Sequence, residues 1–216
     1  MKKQSILLLL IVFVFSIFAA VAHAESEDEL WVVVDPGHGG IDGGASIGDI
    51  KEATLTLEIS KKIKEVFEKN GVKVILTRTT DDDLCEDSFV KREDMLKRVN
   101  MINASKACIA LSIHLNKFSI EKYRGSQVFY NTTNPANSYL ANIMQQSLIQ
   151  YLNNTERKTV KRDNIFLLNK VMIPCCIIEC GFMSNKEELA LLQTEDYQYK
   201  MAYALFYGVE EYLKLY

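Results

Sequence analysis

The chain has 216 residues, 25 basic against 28 acidic for a net charge of −3, with 48% hydrophobic residues, three histidines and five cysteines. A slightly acidic chain without a basic face is a poor candidate for binding nucleic acid or anionic lipid. Its length fits one domain with a core of its own.

Lys2 and Lys3 precede an apolar run from Ile6 to Val21, which closes on Ala22-His23-Ala24, the small-x-small pattern of a signal-peptidase site. Residues 1–24 are predicted to be a signal peptide and residues 25–216 an exported domain, although the apolar run is also long enough to stay as a membrane anchor. Losing Lys2 and Lys3 leaves 23 basic against 28 acidic residues, a net charge of −5. His23 falls in this segment, so His38 and His114 remain for chemistry. There is no repeat, no Gly/Ser- or Pro-rich linker and no appended module. Cys85, Cys108, Cys175, Cys176 and Cys180 are odd in number and match no zinc-ribbon spacing. Cys108 and at least one of Cys175 and Cys176 read as small buried hydrophobes; disulfide pairing is left open.

Val32-Val-Val-Asp-Pro36 reads as a buried strand running into a stop, since proline cannot donate to a sheet ladder. Gly37, Gly39, Gly40, Gly43 and Gly44 then surround His38, placing a lone imidazole on a permissive loop at a strand end, where α/β sheets collect ligands. A metal ligand or a histidine caught in a turn both fit; a phosphate cradle does not, because neither Gly-x-Gly-x-x-Gly nor a Lys-Ser/Thr tail is present. Lys51 to Gly71 carries Leu55, Ile59, Ile63, Val66 and Phe67 at helical spacing with Asn70-Gly71 as its stop. Glu52 sits in that helix's first turn, where a carboxylate also suits the helix dipole.

Val72–Thr77 is predicted as a second strand, Phe89–Ala104 as a second helix, and Ala107–Leu115 as a strand buried on both faces and closed by His114. Gly125–Tyr130 is expected at a sheet edge. Asn134-Pro135 opens a helix through Tyr151, with proline at its preferred start. Ile165–Leu168 and Cys175–Glu179 are expected as short strands, the second ending in a carboxylate whose burial demands a cation, a partner or a cleft. Asn185–Leu192 and Glu195–Tyr212 close the chain as helices, the latter with Tyr199, Ala202, Tyr203, Phe206 and Val209 inward. Strands alternating with helices predict a single-domain, three-layer α/β sandwich, with an approximately six-stranded, mostly parallel or mixed sheet and helices on both faces.

His38, Glu52, His114 and Glu179 are each placed by pattern at a strand end or at the start of a helix. Two imidazoles and one carboxylate form a common ligand set for catalytic zinc, and a second carboxylate is then needed to move protons. Their separations match no local metal motif. The main chemical rival is a Ser/His/Asp or Cys/His site. No Gly-x-Ser-x-Gly elbow occurs, and Cys180, next to Glu179 on an extended segment, should face the other way.

Asp35-Pro-Gly-His-Gly-Gly40 with Asp42-Gly-Gly-Ala45, Lys51-Glu52, Leu76-Thr-Arg78, Ser112-Ile-His-Leu-Asn116, Gly125-Ser126 and Glu179-Cys-Gly-Phe-Met-Ser-Asn185 together resemble the zinc-dependent N-acetylmuramoyl-L-alanine amidases of bacterial cell walls. The resemblance runs in order from Val32 to the C-terminus. It implies one zinc on His38, Glu52 and His114, Glu179 as the catalytic carboxylate, Asn116 lining the substrate groove, and a structural role for Arg78. The implied reaction is hydrolysis of the amide between the lactyl group of N-acetylmuramic acid and L-alanine of the peptidoglycan stem peptide. The inhibitory helical insertion of some family members has no counterpart here, only a short polar loop before Ile165. A small stand-alone catalytic domain is similar to the family's germination-specific, spore-cortex amidases. That implies export to the envelope or spore cortex, membrane contact only through an uncleaved N-terminal segment, and control by compartment, timing or an accessory protein. A vegetative wall amidase, a carboxypeptidase and a non-catalytic wall-binding protein on the same fold are the competing expectations.

Overall fold

The structure, a computed structural model, describes residues 29–214; the predicted signal peptide at residues 1–24 lies outside them. Among the described residues no helix is long and apolar enough to cross a membrane.

The chain alternates strand and helix as its pattern predicts. β1 (Trp31–Pro36) leads through a two-stranded hairpin, β2 (Ser46–Ile47) and β3 (Ile50–Lys51), into α1 (Glu52–Lys69). β4 (Lys73–Leu76), α2 (Lys91–Ala104), β5 (Ile109–Asn116), β6 (Gln127–Tyr130) and α3 (Ala136–Ser147) follow; a π-helical turn extends α3 through Leu152. β7 (Val160–Lys161), α4 (Phe166–Lys170), β8 (Cys175–Phe182), α5 (Lys186–Leu192) and α6 (Glu195–Leu213) complete it. The main sheet has the order β4-β1-β5-β8-β6-β7. It is parallel from β4 to β8; β6 runs antiparallel to β8, and β7 parallel to β6. The expected three-layer sandwich with a mixed six-stranded sheet is what forms.

Side-chain alternation along the central strands sorts the residues into two cores. Val32 and Val34, Ile109, Leu111 and Ile113, and Cys176, Ile178 and Cys180 face α1, α3 and α6 in the larger core. Val33, Ala110, Cys175 and Ile177 face α2 and α4 in the smaller. By the same alternation Asp35, Ser112, His114 and Glu179 belong to the smaller-core side. Of the two helices there α4 is only five residues long, and the carboxyl ends of β1, β5 and β8 border a cleft. Cys180 faces away from Glu179 into the larger core, as expected from the extended backbone. All five cysteines are free thiols, with Cys175 and Cys176 buried and Cys108 partly so.

Three expectations are corrected. Ile165–Leu168 is not a strand: Phe166–Lys170 is a helical turn, in which Asn169 N–H donates to Ile165 O (3.2 Å) and Val171 N–H to Leu167 O (3.0 Å). A four-residue apolar run has no periodicity with which to distinguish the two. β6 is not the edge, because the two-residue β7 pairs outside it, Phe129 opposite Val160 and Tyr130 opposite Lys161. In α6 Tyr203 is 37% exposed, while Tyr197, Met201, Leu205 and Tyr212 face inward with Ala202 and Val209.

Candidate metal centre and active site

The site begins at the end of β1. Asp35 is buried, and its carboxylate accepts from Thr77 Oγ1 (2.5 Å), Arg98 Nη1 (2.9 Å) and Ser112 Oγ (2.7 Å). Burial pushes its pKa up, but Arg98 and the two hydroxyls outweigh that and hold it below the usual carboxylate range. Beyond it the glycine loop turns sharply enough to put His38 itself at φ 63°, in the left-handed region. Non-glycine residues persist there only when their surroundings impose it.

Two buried arginines do so. Arg98 donates to Pro36 O (2.6 Å) and His38 O (2.5 Å), and Arg78 to Pro36 O (3.0 Å), Gly37 O (2.9 Å) and Ala53 O (2.7 Å). Three successive loop carbonyls are thus tied to guanidinium groups, and Arg78 also links the loop to the first turn of α1. Arg78 is structural, as the sequence resemblance implied. Arg98 was not foreseen.

The loop, α1 and β5 bring three donors together. His38 Nε2 lies 3.3 Å and His114 Nδ1 3.1 Å from Glu52 Oε1, and one ligand atom from each of the three residues lies within 4.8 Å of the others. The imidazole rings stand edge to face with centroids 5.0 Å apart. Glu52 is fixed from behind by Ala45 N–H (2.8 Å) and Leu115 N–H (2.9 Å). Burial opposes its charge, yet the two imidazoles hold its pKa far below normal, so it stays a carboxylate. At His114 burial opposes protonation and Glu52 favours it, with a net rise. Asp42 Oδ2 sits 3.1 Å from His38 Nδ1, without hydrogen-bond alignment, and 3.2 Å from Lys91 Nζ. Asp42, named in the sequence only as part of the loop's motif, lies four residues from His38 in that loop.

Glu179 stands on β8 directly opposite His114 in the strand pairing. Its Oε2 is buried and has no hydrogen-bond partner. Burial raises its pKa to about 7, with His114 pulling down and Glu52 pushing up. Glu179, His38 and His114 line one cavity of about 240 Å³, walled by Phe129, Ile177 and Met95. Asn116 lies past His114 at the end of β5, opposite Phe182, and lines the neighbouring hollow.

These donors fit a zinc ion: two imidazoles and a carboxylate converge from three elements, and an orphaned carboxyl oxygen faces the same cavity. The loop has been shaped around the rings. A Cβ on Gly37 would lie 2.4–2.7 Å from the His114 imidazole, and one on Gly44 2.7–2.8 Å from Glu52 Oε2 and the His38 ring. Gly37→Ala is expected to leave the fold intact but to displace His114, lowering zinc affinity about 10–100-fold in a chelator competition, the range for perturbed ligand support. Unchanged affinity would remove His114 from the metal set.

The fold and the placement of these side chains define a hydrolase of the cell-wall amidase class, and the chain belongs to the N-acetylmuramoyl-L-alanine amidase family, whose profile matches residues 32–211. The germination-specific N-acetylmuramoyl-L-alanine amidase of Bacillus subtilis is 38% identical over 186 residues, 84% of this chain and 78% of that protein. The solved CwlD amidase of Clostridioides difficile, in complex with the GerS lipoprotein, is 36% identical with a TM-score of 0.80, covering 87% of this chain and 100% of that one. An N-acetylmuramoyl-L-alanine amidase structure from Clostridium difficile 630 matches at 27% identity and a TM-score of 0.77, over 87% of this chain and 98% of the other.

Proposed function

We propose that this amidase holds zinc on His38, Glu52 and His114, and that Glu179 moves the protons as the bond between the lactyl group of N-acetylmuramic acid and L-alanine is hydrolysed. The observation that carries the reading is the convergence of three donors within 4.8 Å beside the partnerless, buried oxygen of Glu179. When bound there, zinc would supply a Lewis acid for the scissile carbonyl and lower the pKa of a water from about 15.7 toward about 7. Glu179, with its pKa raised by burial to about 7, is matched to accepting a proton from the attacking water and returning it to the leaving nitrogen. The backbone N–H groups of Ala45 and Leu115 keep Glu52 in place. Phe129 and Ile177 limit water on the Glu179 side. Asn116, one strand residue pair beyond His114, contacts the substrate in the adjoining hollow.

The substrate is peptidoglycan, in spore cortex maturation, a role supported by the 38% identity to a germination-specific relative. Residues 1–24 direct export, and an accessory protein assists the enzyme; a solved relative at 36% identity was found in complex with a lipoprotein. The test is zinc content of the domain followed by mass spectrometry of digested peptidoglycan, wild type beside His38→Ala. One zinc in the wild type, none in the variant, and stem peptides bearing free N-terminal L-alanine only from the wild type are expected. Release of D-alanine instead would make the enzyme a carboxypeptidase, and zinc-loaded protein that frees nothing would make it a binding protein.

A further inference from the structure

Beside the catalytic cavity lies a second hollow of about 320 Å³. Phe129 lines both, and Gln127, in the second, pairs directly with Glu179 across β6 and β8. One wall of the hollow is the loop of residues 117–126 between β5 and β6, which contributes Phe118 and Tyr123. The Tyr123 ring lies 5.1 Å from that of Phe118 and 6.4 Å from that of Phe182, the last residue of β8.

The loop has little structure of its own: inside it the backbone forms one hydrogen bond, Tyr123 N–H to Ile120 O (3.3 Å). Three fastenings come from the segment that follows β8. Phe118 N–H donates to Ser184 Oγ (3.1 Å), Asn185 Nδ2 donates to Glu121 O (2.9 Å), and Gly125 N–H donates to both Glu188 oxygens (2.8 Å and 3.1 Å). Glu188 Oε2 also accepts from Phe182 N–H (2.7 Å), so one carboxylate joins the end of the loop to the end of β8. Glu188 is only 1% exposed. Burying a carboxylate costs free energy that hydrogen bonds must offset, and these bonds all go to the two chain ends that frame the hollow. The backbone leaves room for it: a Cβ at Gly181, two residues after Glu179, would lie 2.8 Å from the Glu188 carboxyl carbon.

We infer that Glu188 is a positioning residue of the amidase, holding the loop of residues 117–126 against β8 as the wall of a hollow that receives substrate beyond the scissile bond. This rests on the amidase reading given above. Glu188 touches no reacting atom, so it acts on the binding of whatever part of the substrate enters the hollow, and not on the chemical step. Glu188→Gln keeps the shape of the side chain but offers one acceptor oxygen and turns an amide donor toward backbone N–H groups. Asn185→Asp loosens the same loop by another route. It keeps the oxygen that caps α5 by accepting from Glu188 N–H (2.9 Å), and loses the donor to Glu121 O.

The test uses two synthetic substrates: N-acetylmuramoyl-L-alanine, which ends at the reacting centre, and a disaccharide bearing the full stem peptide, which extends from it. Turnover and zinc content are measured for wild type, Glu188→Gln and Asn185→Asp. For the extended substrate KM is expected to rise about 10-fold in Glu188→Gln, the scale of one charge-assisted hydrogen bond, and by less in Asn185→Asp. Zinc content, kcat and the KM of the short substrate should change little in both. Equal KM shifts for the two substrates, a loss of kcat or zinc, or a wild-type KM for the extended substrate would overturn the inference. Should Glu188→Gln fail to fold, Asn185→Asp carries the same test. If the wild type cleaves neither substrate, the amidase reading fails. Calorimetric binding of the extended substrate would still decide the loop, weaker binding by Asn185→Asp supporting the inference and equal binding overturning it.

Discussion

Glu179→Gln is expected to lower amide hydrolysis by about 10²–10⁴-fold, the contribution of a positioned general acid–base, while zinc content stays at the wild-type value. The substitution keeps the shape of the side chain and one oxygen in the cavity, but an amide cannot accept and return a proton near neutral pH. The separation of effects follows from geometry. His38, Glu52 and His114 share a cluster within 4.8 Å, and Glu179 is outside it on the next strand, its Oε2 buried without a partner. An isolated buried carboxyl costs free energy that a purely structural residue at that position would avoid. A modest gain in stability of Glu179→Gln, read from a denaturant midpoint, is therefore expected alongside the loss of rate. Zinc loss in this variant would move Glu179 into the ligand set, and activity within threefold of wild type would remove it from proton transfer.

Much of the site was legible because its side chains sit where pattern alone locates them. Val32-Val-Val before Asp-Pro gives a buried strand with a defined end, and Ala107–Leu115 is apolar enough to be central, so His38 and His114 had to emerge at the same sheet edge. Glu52 opens a strongly amphipathic helix, and Glu179 ends a short apolar strand. The supporting residues were not legible, for a physical reason. Arg98 lies in a mostly polar helix, and apart from Asp94, four residues before it, its partners Asp35, Pro36 and His38 are 60 to 63 positions away. Glu188 looks like a surface residue in a helix first turn, yet its carboxylate is buried and accepts from Gly125 N–H and Phe182 N–H at 2.8 Å and 2.7 Å. Long-range bonds to backbone carbonyls and amides leave no periodicity. The same limit explains β7 and the hairpin of β2 and β3: two residues per strand carry too little alternation to be seen.

The support beneath the metal site yields the second large effect. Arg98→Met is expected to destabilise the protein by about 3–5 kcal/mol at neutral pH, the scale for removing one partner of a buried ion pair. Methionine fills comparable volume and suits the helix, so the loss comes from what Arg98 leaves behind: the Asp35 carboxylate, buried with only Thr77 and Ser112, the buried Asp94 carboxylate, left with Leu84 N–H, and the carbonyls of Pro36 and His38 without those donors. The pH dependence has a definite sign. In the wild type Asp35 titrates below its ordinary 3.8, so its pairing contributes fully at pH values above that figure and is lost as pH falls through the depressed folded-state pKa. Without Arg98 the dominant influence is burial, which raises the pKa and lets Asp35 take up a proton earlier. The gap between wild type and Arg98→Met, from urea unfolding at successive pH values, should therefore be largest near neutrality and narrow as pH falls, beginning above the ordinary carboxylate value where the variant's Asp35 takes up its proton. Adding Asp35→Asn to Arg98→Met should recover part of the loss by removing the unpaired charge. A gap under 1 kcal/mol at pH 7, or one that widens on acidification, would mean that the loop bearing His38 is held by Arg78 and packing alone.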